Sequence, residues 1–94
     1  MPALLIRHKV TNYAAWRAIF DEQDATRRAY GCQLGLLFRN DSDPNEVLVL
    51  LEWDSLERAW LFAQSDELRD DLRRAEVADD PDLWFLGDAN QAPF

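Results

Sequence analysis

The spacing of apolar and polar residues predicts four β-strands along the 94 residues of the chain. From Ala3 to Val10 the pattern repeats every second residue, which is typical of a strand with one buried face. Gln33–Asn40 and Glu46–Trp53 predict two further strands, because turn-forming residues 41–45 separate them. A short final strand is predicted over Leu83–Leu86.

A first helix is predicted between the first two strands. Thr11 or Asn12 can cap its start, since a short polar side chain there accepts a hydrogen bond from an amide of the first turn. The helix should continue to about Tyr30 and end at Gly31, because glycine suits the left-handed position that follows a helix.

A second helical region follows the third strand. Asp54 should begin it, and Glu57 three residues on completes a capping-box pattern. Ser65–Glu67 should start another short helix, which Asp79–Pro81 ends. The apolar stripes of these two helices are expected to consist of Leu56, Ala59, Trp60 and Ala63 in the first, and of Leu68 and Leu72 in the second.

The order of these elements indicates an α+β fold of the ferredoxin-like βαββαβ type, with an antiparallel sheet and helices on one face. We expect one domain over residues 1–94, with its core over about 3–86 and a tail over 87–94. The third strand is apolar on both faces, so both faces should be covered. Because the helices can cover only one face, a second copy of the sheet should cover the other, which predicts a homodimer.

Three segments carry a resemblance to a known superfamily: RHKVTNYAAWRAIFDEQ near the start, NEVLVLLEWDSLERAWLFAQSDELR in the middle and DLWFL near the end. Over about residues 3–86 the chain resembles the dimeric α+β barrel superfamily, and within it the small antibiotic biosynthesis monooxygenase-like and cyclase-like proteins. The resemblance implies a ferredoxin-like fold that pairs as a dimeric barrel. It implies no single activity, because the superfamily holds cofactor-free monooxygenases, haem-degrading enzymes, haem peroxidases and isomerases.

The charge and cysteine content narrow the range of partners. Ten Lys and Arg against eighteen Asp and Glu give a net charge of -8, so we expect no binding to nucleic acid or to an anionic membrane. The single cysteine, Cys32, excludes an intramolecular disulfide and a multi-cysteine metal cluster. The apolar run at the N-terminus is too short for a signal peptide, and we expect a cytoplasmic protein.

The inward-facing stripe of the first helix changes from aromatic to polar along its length. With about 100° per residue and Trp16 at the centre, Phe20 lies about 40° to one side, and Gln23 and Arg27 lie within about 20°. His8 alternates with apolar residues on the strand face that should meet this helix. We therefore predict a pocket between helix and sheet, with a polar side of Gln23, Arg27 and His8 and an apolar side of Trp16, Phe20 and Trp60.

These residues also have purely structural interpretations. Arg27 could extend into solvent at the end of the helix, His8 could be a neutral core histidine, and Trp60 could pack in the core. Alternation does not fix strand register, so the sheet faces of four further residues stay open: Arg7, Arg39, Trp53 and Trp84.

Three functions are compatible with the predicted pocket. In the first, an enzyme acts on a small aromatic or polyketide-like compound without a metal or cofactor, with His8 as the base and Gln23 and Arg27 stabilising an enolate or phenolate oxygen. In the second, the same pocket binds a small aromatic or acidic metabolite without turnover. In the third, the chain is a structural homodimer. Haem degradation is not expected, because that branch of the superfamily places its histidine late in the chain and no histidine follows His8.

Overall fold

A computed structural model describes residues 1–75 and 80–87. The strands form one antiparallel sheet in the order β2-β3-β1-β4, and the helices lie on one of its faces, which confirms the predicted ferredoxin-like α+β class. The elements are β1 (Ala3–Lys9), α1 (Tyr13–Glu22), α2 (Asp24–Ala29), β2 (Cys32–Arg39), β3 (Glu46–Trp53), α3 (Leu56–Ala63), α4 (Asp66–Arg74) and β4 (Asp82–Leu86).

The central strand β3 has two apolar faces, as the sequence predicts. One face points towards the helices and is at most 2% exposed; it consists of Val47, Val49, Leu51 and Trp53. Leu48 and Leu50 alternate with these residues and are half-buried on the opposite face. On β1, Ile6 pairs with Val49 and His8 pairs with Val47, so both point towards the helices. We call the other side of the sheet the open face.

The first helical region begins as predicted but is not continuous. Asn12 caps α1, because its side-chain oxygen accepts a hydrogen bond from the amide of Ala15 at 3.1 Å. The prediction of one helix to Tyr30 is wrong, since α1 ends at Glu22 and α2 follows. At the junction the Gln23 amide donates to the carbonyl of Phe20 at 3.2 Å, three residues back rather than four, and this tightens the turn.

The second helical region begins one residue later than predicted and buries a different stripe. Ser55 caps α3, accepting a hydrogen bond from the Arg58 amide at 3.2 Å. Ala59 and Phe62 are buried, whereas Leu56 and Trp60 are 42% and 49% exposed. Because α3 is apolar around most of its circumference, periodicity alone could not identify the buried side. Ser65 caps α4, as predicted.

The structure settles the sheet faces that the sequence left open. Trp53 is fully buried beneath the helices and packs against Phe62, with ring centroids 5.0 Å apart. Trp84 pairs with Leu5 and lies on the open face, 45% exposed. Arg7 pairs with Leu48 and lies on the open face, where it forms 3.0 Å ion pairs with Glu46 and Asp82. Arg39 pairs with Val47 and lies on the helix side, where its guanidinium is 3.9 Å above the Tyr13 ring.

Two predicted features lie partly outside the described residues. The helix end expected at Asp79–Pro81 includes residue 79, and the tail expected over 87–94 is described only at Gly87. Within the described part of the chain, α4 ends at Arg74, and no helix is long and apolar enough to cross a membrane.

Gly31 joins α2 to β2 with φ at 105°, a conformation that L side chains rarely adopt. A Cβ there would lie 2.5 Å from Oδ1 of Asp54 and 2.8 Å from Cδ of Arg58. We expect Gly31→Ala to lower the free energy of unfolding by about 1–3 kcal/mol, measured by urea denaturation. Gly87→Ala is the matched control, because a Cβ at that position would meet no heavy atom of the described residues within 4 Å; an equal loss in both variants would contradict the strain argument.

Candidate functional site

A small cavity lies between the helices and the sheet, where the sequence predicts a pocket. Its volume is about 50 Å³, which is room for a few water molecules and less than an aromatic ring requires. Side chains of α1, α2, α3, α4, β1, β3 and β4 form its wall. The residues lining it are Ile6, His8, Trp16, Ile19, Phe20, Arg27, Val49, Leu51, Phe62, Leu68, Asp71, Leu72, Ala75, Pro81 and Leu83. We call it the inner cavity.

Three ionisable side chains interrupt its otherwise apolar wall. His8 comes from β1, Arg27 from α2 and Asp71 from α4, so a different element positions each of them. His8 is 3% exposed and Arg27 is 8% exposed. Burial of ionisable groups opposes their charged forms, so their placement beside a cavity is the main chemical feature of this region.

His8 lies against the first aromatic residue of the α1 stripe. Its ring meets Trp16 edge to face, with centroids 5.5 Å apart and planes at 72°. Trp16 in turn stacks on Phe20, with centroids 5.2 Å apart and planes at 24°. The aromatic rings therefore form a rigid wall that fixes the imidazole beside the cavity.

Arg27 continues that wall with its guanidinium. Its Cζ atom lies 3.7 Å above the centre of the Phe20 ring, and Nη1 donates to the carbonyl oxygen of Phe20 at 2.7 Å. The break at Gln23 leaves that carbonyl at the end of α1, where a cation is favourable. Burial lowers the pKa of Arg27, while the charges of Cys32 and Asp24 oppose that shift.

Asp71 places a carboxylate on the same cavity. Burial raises its pKa, and the charges of Arg74 and Arg27 act in the opposite direction. Its ion pair with Arg74 is long, at 3.8 Å. The acidic residues around Asp71 in the sequence predict a solvated face. Ala75, the C-terminal cap of α4 four residues on, is nevertheless buried and lines the same cavity. That spacing is the signal that could have identified Asp71.

Of the six residues of the predicted pocket, four line the inner cavity and two do not. His8, Arg27, Trp16 and Phe20 line the inner cavity. Trp60 does not line it; its half-exposed ring stacks on Phe85 with centroids 4.8 Å apart. Gln23 does not line it either, because the break between α1 and α2 falls on this residue and takes it out of the continuous stripe. The roles of the four in binding and catalysis stay predictions.

Beside Arg27 lies a second, larger depression, which we call the outer groove. It has a volume of about 460 Å³ and lies between the α1–α2 junction and β2. Phe20, Arg27 and Leu51 line both spaces, so these side chains separate the inner cavity from the groove. The sequence pattern does not predict the groove, because it forms where the expected continuous helix breaks.

Within residues 1–75 and 80–87, no three His, Cys, Asp or Glu side chains are grouped so that they could hold a metal ion. Cys32 is half-buried and its thiol lies 3.6 Å from the carbonyl oxygen of Leu34. Burial raises the pKa of this thiol, which keeps it protonated and poorly nucleophilic.

Solved structures with the same fold include proteins described as antibiotic biosynthesis monooxygenases. A proposed antibiotic biosynthesis monooxygenase from Bordetella bronchiseptica matches with a TM-score of 0.79 and 17% identity, over 95% of this chain and 97% of that one. A proposed antibiotic biosynthesis monooxygenase from Caulobacter crescentus matches with a TM-score of 0.75 and 18% identity, over 95% of this chain and 90% of that one. A protein from Mycobacterium tuberculosis matches with a TM-score of 0.68 and 16% identity, over 99% and 100%.

No family model and no curated protein sequence matches the chain. The structural likenesses confirm the resemblance to the antibiotic biosynthesis monooxygenase-like proteins at the level of the fold. At these identities they leave activity and substrate to be argued from the site itself.

Asp71 yields a pH-dependent prediction. Because its pKa is raised in the folded state, its ionised form opposes folding above that pKa, and the effect disappears below the pKa of the unfolded state. Asp71→Asn should therefore raise the melting temperature at pH 7 and should lose this advantage as the pH falls below about 4. Thermal unfolding followed by circular dichroism across this range measures the effect.

Asp70→Asn is the matched control for this prediction. Asp70 also lies on α4 and also pairs with an arginine three residues on, Arg73 at 3.7 Å, but its side chain is 62% exposed. We expect no stabilisation at pH 7 from this variant. Equal melting temperatures for the two variants at every pH would contradict the role of burial at Asp71.

Proposed function

We propose that the protein binds a small aromatic or polyketide-like compound between its helices and its sheet, and acts on it as a cofactor-independent monooxygenase or cyclase-like enzyme. The observation that carries this proposal is the placement of two buried ionisable side chains, His8 and Arg27, on an apolar cavity. Apolar pockets with a few convergent polar groups are the usual form of small-molecule sites.

The chemistry assigns different roles to the two side chains. His8 would remove a proton from the substrate, since histidine commonly acts as a base near neutral pH. The guanidinium of Arg27 would stabilise the oxygen of the resulting enolate or phenolate. In a monooxygenase reaction that anion gives electrons to dioxygen; one oxygen atom then enters the product and the other leaves as water.

The volume of the inner cavity requires movement during binding. At about 50 Å³ it is smaller than a cavity that holds benzene, so a ring must displace part of the wall. Leu68, Leu72 and Leu83 are the best placed to move, because none of them is fully buried and their aliphatic side chains can change rotamer.

The second candidate function is a non-catalytic protein of the same fold, which binds a metabolite or acts as a structural homodimer. The small volume of the inner cavity favours it. A measurement of turnover distinguishes the two candidate functions, because only an enzyme requires a base.

We expect His8→Ala to abolish turnover and to leave the fold intact. Oxygen consumption would be measured with a panel of phenols and hydroquinones, after a thermal-shift screen has identified those that bind. His8→Gln, which fills more of the volume, guards against a loss of activity through unfolding. Trp60→Phe is the control: it keeps a ring against Phe85 outside the cavity, so turnover should persist. Unchanged turnover in both His8 variants would exclude the assigned base.

We propose further that the protein forms a homodimer through the open face of its sheet. Five large apolar side chains on this face are 41–53% exposed, and together they make a patch that a monomer would leave in water. They are Leu34, Leu36 and Phe38 on β2, with Trp84 and Leu86 on β4. A second sheet packed on them would complete the cover of β3.

Light scattering would measure the mass of the particle, which we expect to be about twice the chain mass of 10.9 kDa. Leu36→Asp should produce monomers, because Leu36 pairs with Leu50 within the patch and a buried charge there opposes association. Leu61→Asp is the matched control, since Leu61 is 54% exposed but lies on α3, on the other side of the sheet. A wild-type monomer at micromolar concentration would exclude the dimeric barrel.

A further inference from the structure

The outer groove has the size and the charge of a ligand site that is distinct from the inner cavity. Its volume of about 460 Å³ falls within the range of small-molecule pockets, whereas that of the inner cavity, about 50 Å³, does not. Its walls include apolar side chains, Phe20 and Leu51, and the guanidinium of Arg27.

Two local features of the backbone open the groove. The helix breaks at Gln23, which separates α2 from α1 on one side. On the other side, the pairing of β2 with β3 shifts between Cys32 and Leu34, so that Gln33 falls outside the regular register. Gly35 lies close to Leu51 in this wall, since a Cβ at position 35 would lie 3.2 Å from the Cδ2 atom of Leu51. A larger residue at position 35 would therefore narrow the outer groove.

The carboxylates beside the groove already have cationic partners. Asp21 pairs with Arg17 at 2.8 Å, and Asp24 pairs with Arg28 at 3.1 Å. Arg27 differs from these arginines, because no carboxylate of residues 1–75 or 80–87 lies within ion-pair distance of it. Among the described residues the buried guanidinium of Arg27 therefore has no ion-pair partner, and the carboxylates of Asp24, Asp21 and Asp71 act on it only from farther away.

The contacts of Arg27 leave part of its hydrogen-bonding capacity unused. A guanidinium carries five N–H donors, and among the described residues one of them, on Nη1, is taken by the carbonyl of Phe20. Stacking on the Phe20 ring holds the plane of the group in place. The remaining donors are thus preorganised next to the groove, and preorganisation reduces the entropy lost when a ligand binds.

We propose that the outer groove binds a small organic carboxylate, with Arg27 as the partner of the carboxylate and Phe20 and Leu51 against its apolar body. A guanidinium and a carboxylate match in geometry and can form two parallel hydrogen bonds. Asp21 and Asp24 also line the groove, and their carboxylates repel a phosphate dianion more strongly than a ligand with a single negative charge. The proposal goes beyond the proposed function, since it holds for a binding protein as well as for an enzyme.

Nuclear magnetic resonance can locate the ligand in one of the two spaces. Benzoate and 1-naphthoate are the probes, and benzamide and 1-naphthamide are their neutral counterparts. Binding in the groove should shift the backbone amides of Gln33 and Gly35 saturably, while leaving the indole N–H of Trp16, which lines the inner cavity, nearly unchanged. The carboxylates should bind about tenfold or more tightly than the amides, as expected for a charged hydrogen bond.

The single cysteine gives an independent readout. Cys32 lines the groove and does not line the inner cavity. A carboxylate in the groove should slow alkylation of Cys32 by a maleimide in proportion to occupancy, and the matching amide at the same concentration should not. Ligands confined to the inner cavity would shift the Trp16 signal without protecting Cys32, which would overturn this proposal while supporting the proposed function.

Arg27→Leu should weaken carboxylate binding by about tenfold to a hundredfold, and Arg27→Lys should weaken it less because it keeps the charge but loses the fork. Arg28→Leu is the matched control: Arg28 is 74% exposed and pairs with Asp24, so its loss should change affinity by no more than about twofold. If Arg27→Leu does not fold, the Arg27→Lys variant and the ratio of carboxylate to amide affinity decide the question.

Four further results would overturn the proposal. They are equal affinity for carboxylates and amides, tighter binding of phenyl phosphate than of benzoate, equal losses in the Arg27 and Arg28 variants, and no saturable shift at Gln33 or Gly35 with either carboxylate at millimolar concentration.

Discussion

The structure depends on one constraint: the central strand β3 is apolar on both faces, but the chain supplies helices for only one of them. On the helix side, Val49 and Leu51 form the floor of the core and of the inner cavity. On the open face, Leu48 and Leu50 lie among exposed apolar side chains of β2 and β4. The same strand therefore positions the candidate site on one side and underlies the apolar patch of the proposed homodimer on the other, so the site and the patch are linked through a single element.

On the helix side, the break at Gln23 determines where charge can be buried. A continuous helix would use the Phe20 carbonyl in its own ladder, four residues on. The break makes that carbonyl available to the guanidinium of Arg27, and the Phe20 ring supports the group from below. The two contacts offset part of the cost of burying a cation, which explains why Arg27 can point inwards without an ion pair to any described carboxylate. The break also opens the outer groove, so the buried charge and the space next to it have one cause.

The sequence was sufficient for the topology because period-two alternation and turn residues identify strands independently of the tertiary fold. It was sufficient for His8, Trp16 and Arg27, since each lies on a stripe whose direction the strand or helix period determines. It did not predict the positions of Gln23 and Trp60. The helix break at Gln23 is not marked by a proline or a glycine, and α3 is apolar on nearly every side, so its buried side could not be identified. Asp71 was missed since its acidic neighbours suggested a solvated face. These errors share a reason: periodicity gives relative directions within an element, while packing between elements decides which direction is buried.

An anion site in a chain of net charge -8 is consistent with the electrostatics of this protein. At physiological ionic strength, charges farther apart than about 8 Å are largely screened, so groups near the groove determine the potential inside it. There Asp21 and Asp24 each pair with another arginine, and among residues 1–75 and 80–87 no carboxylate forms an ion pair with Arg27. The wider acidic surface lowers the rate at which anions approach, and it repels dianions more strongly, but it does not distinguish one monoanion from another. Selectivity must therefore come from the geometry of the groove: a fixed guanidinium plane beside an apolar wall discriminates by shape and charge together, which a diffuse positive surface could not do.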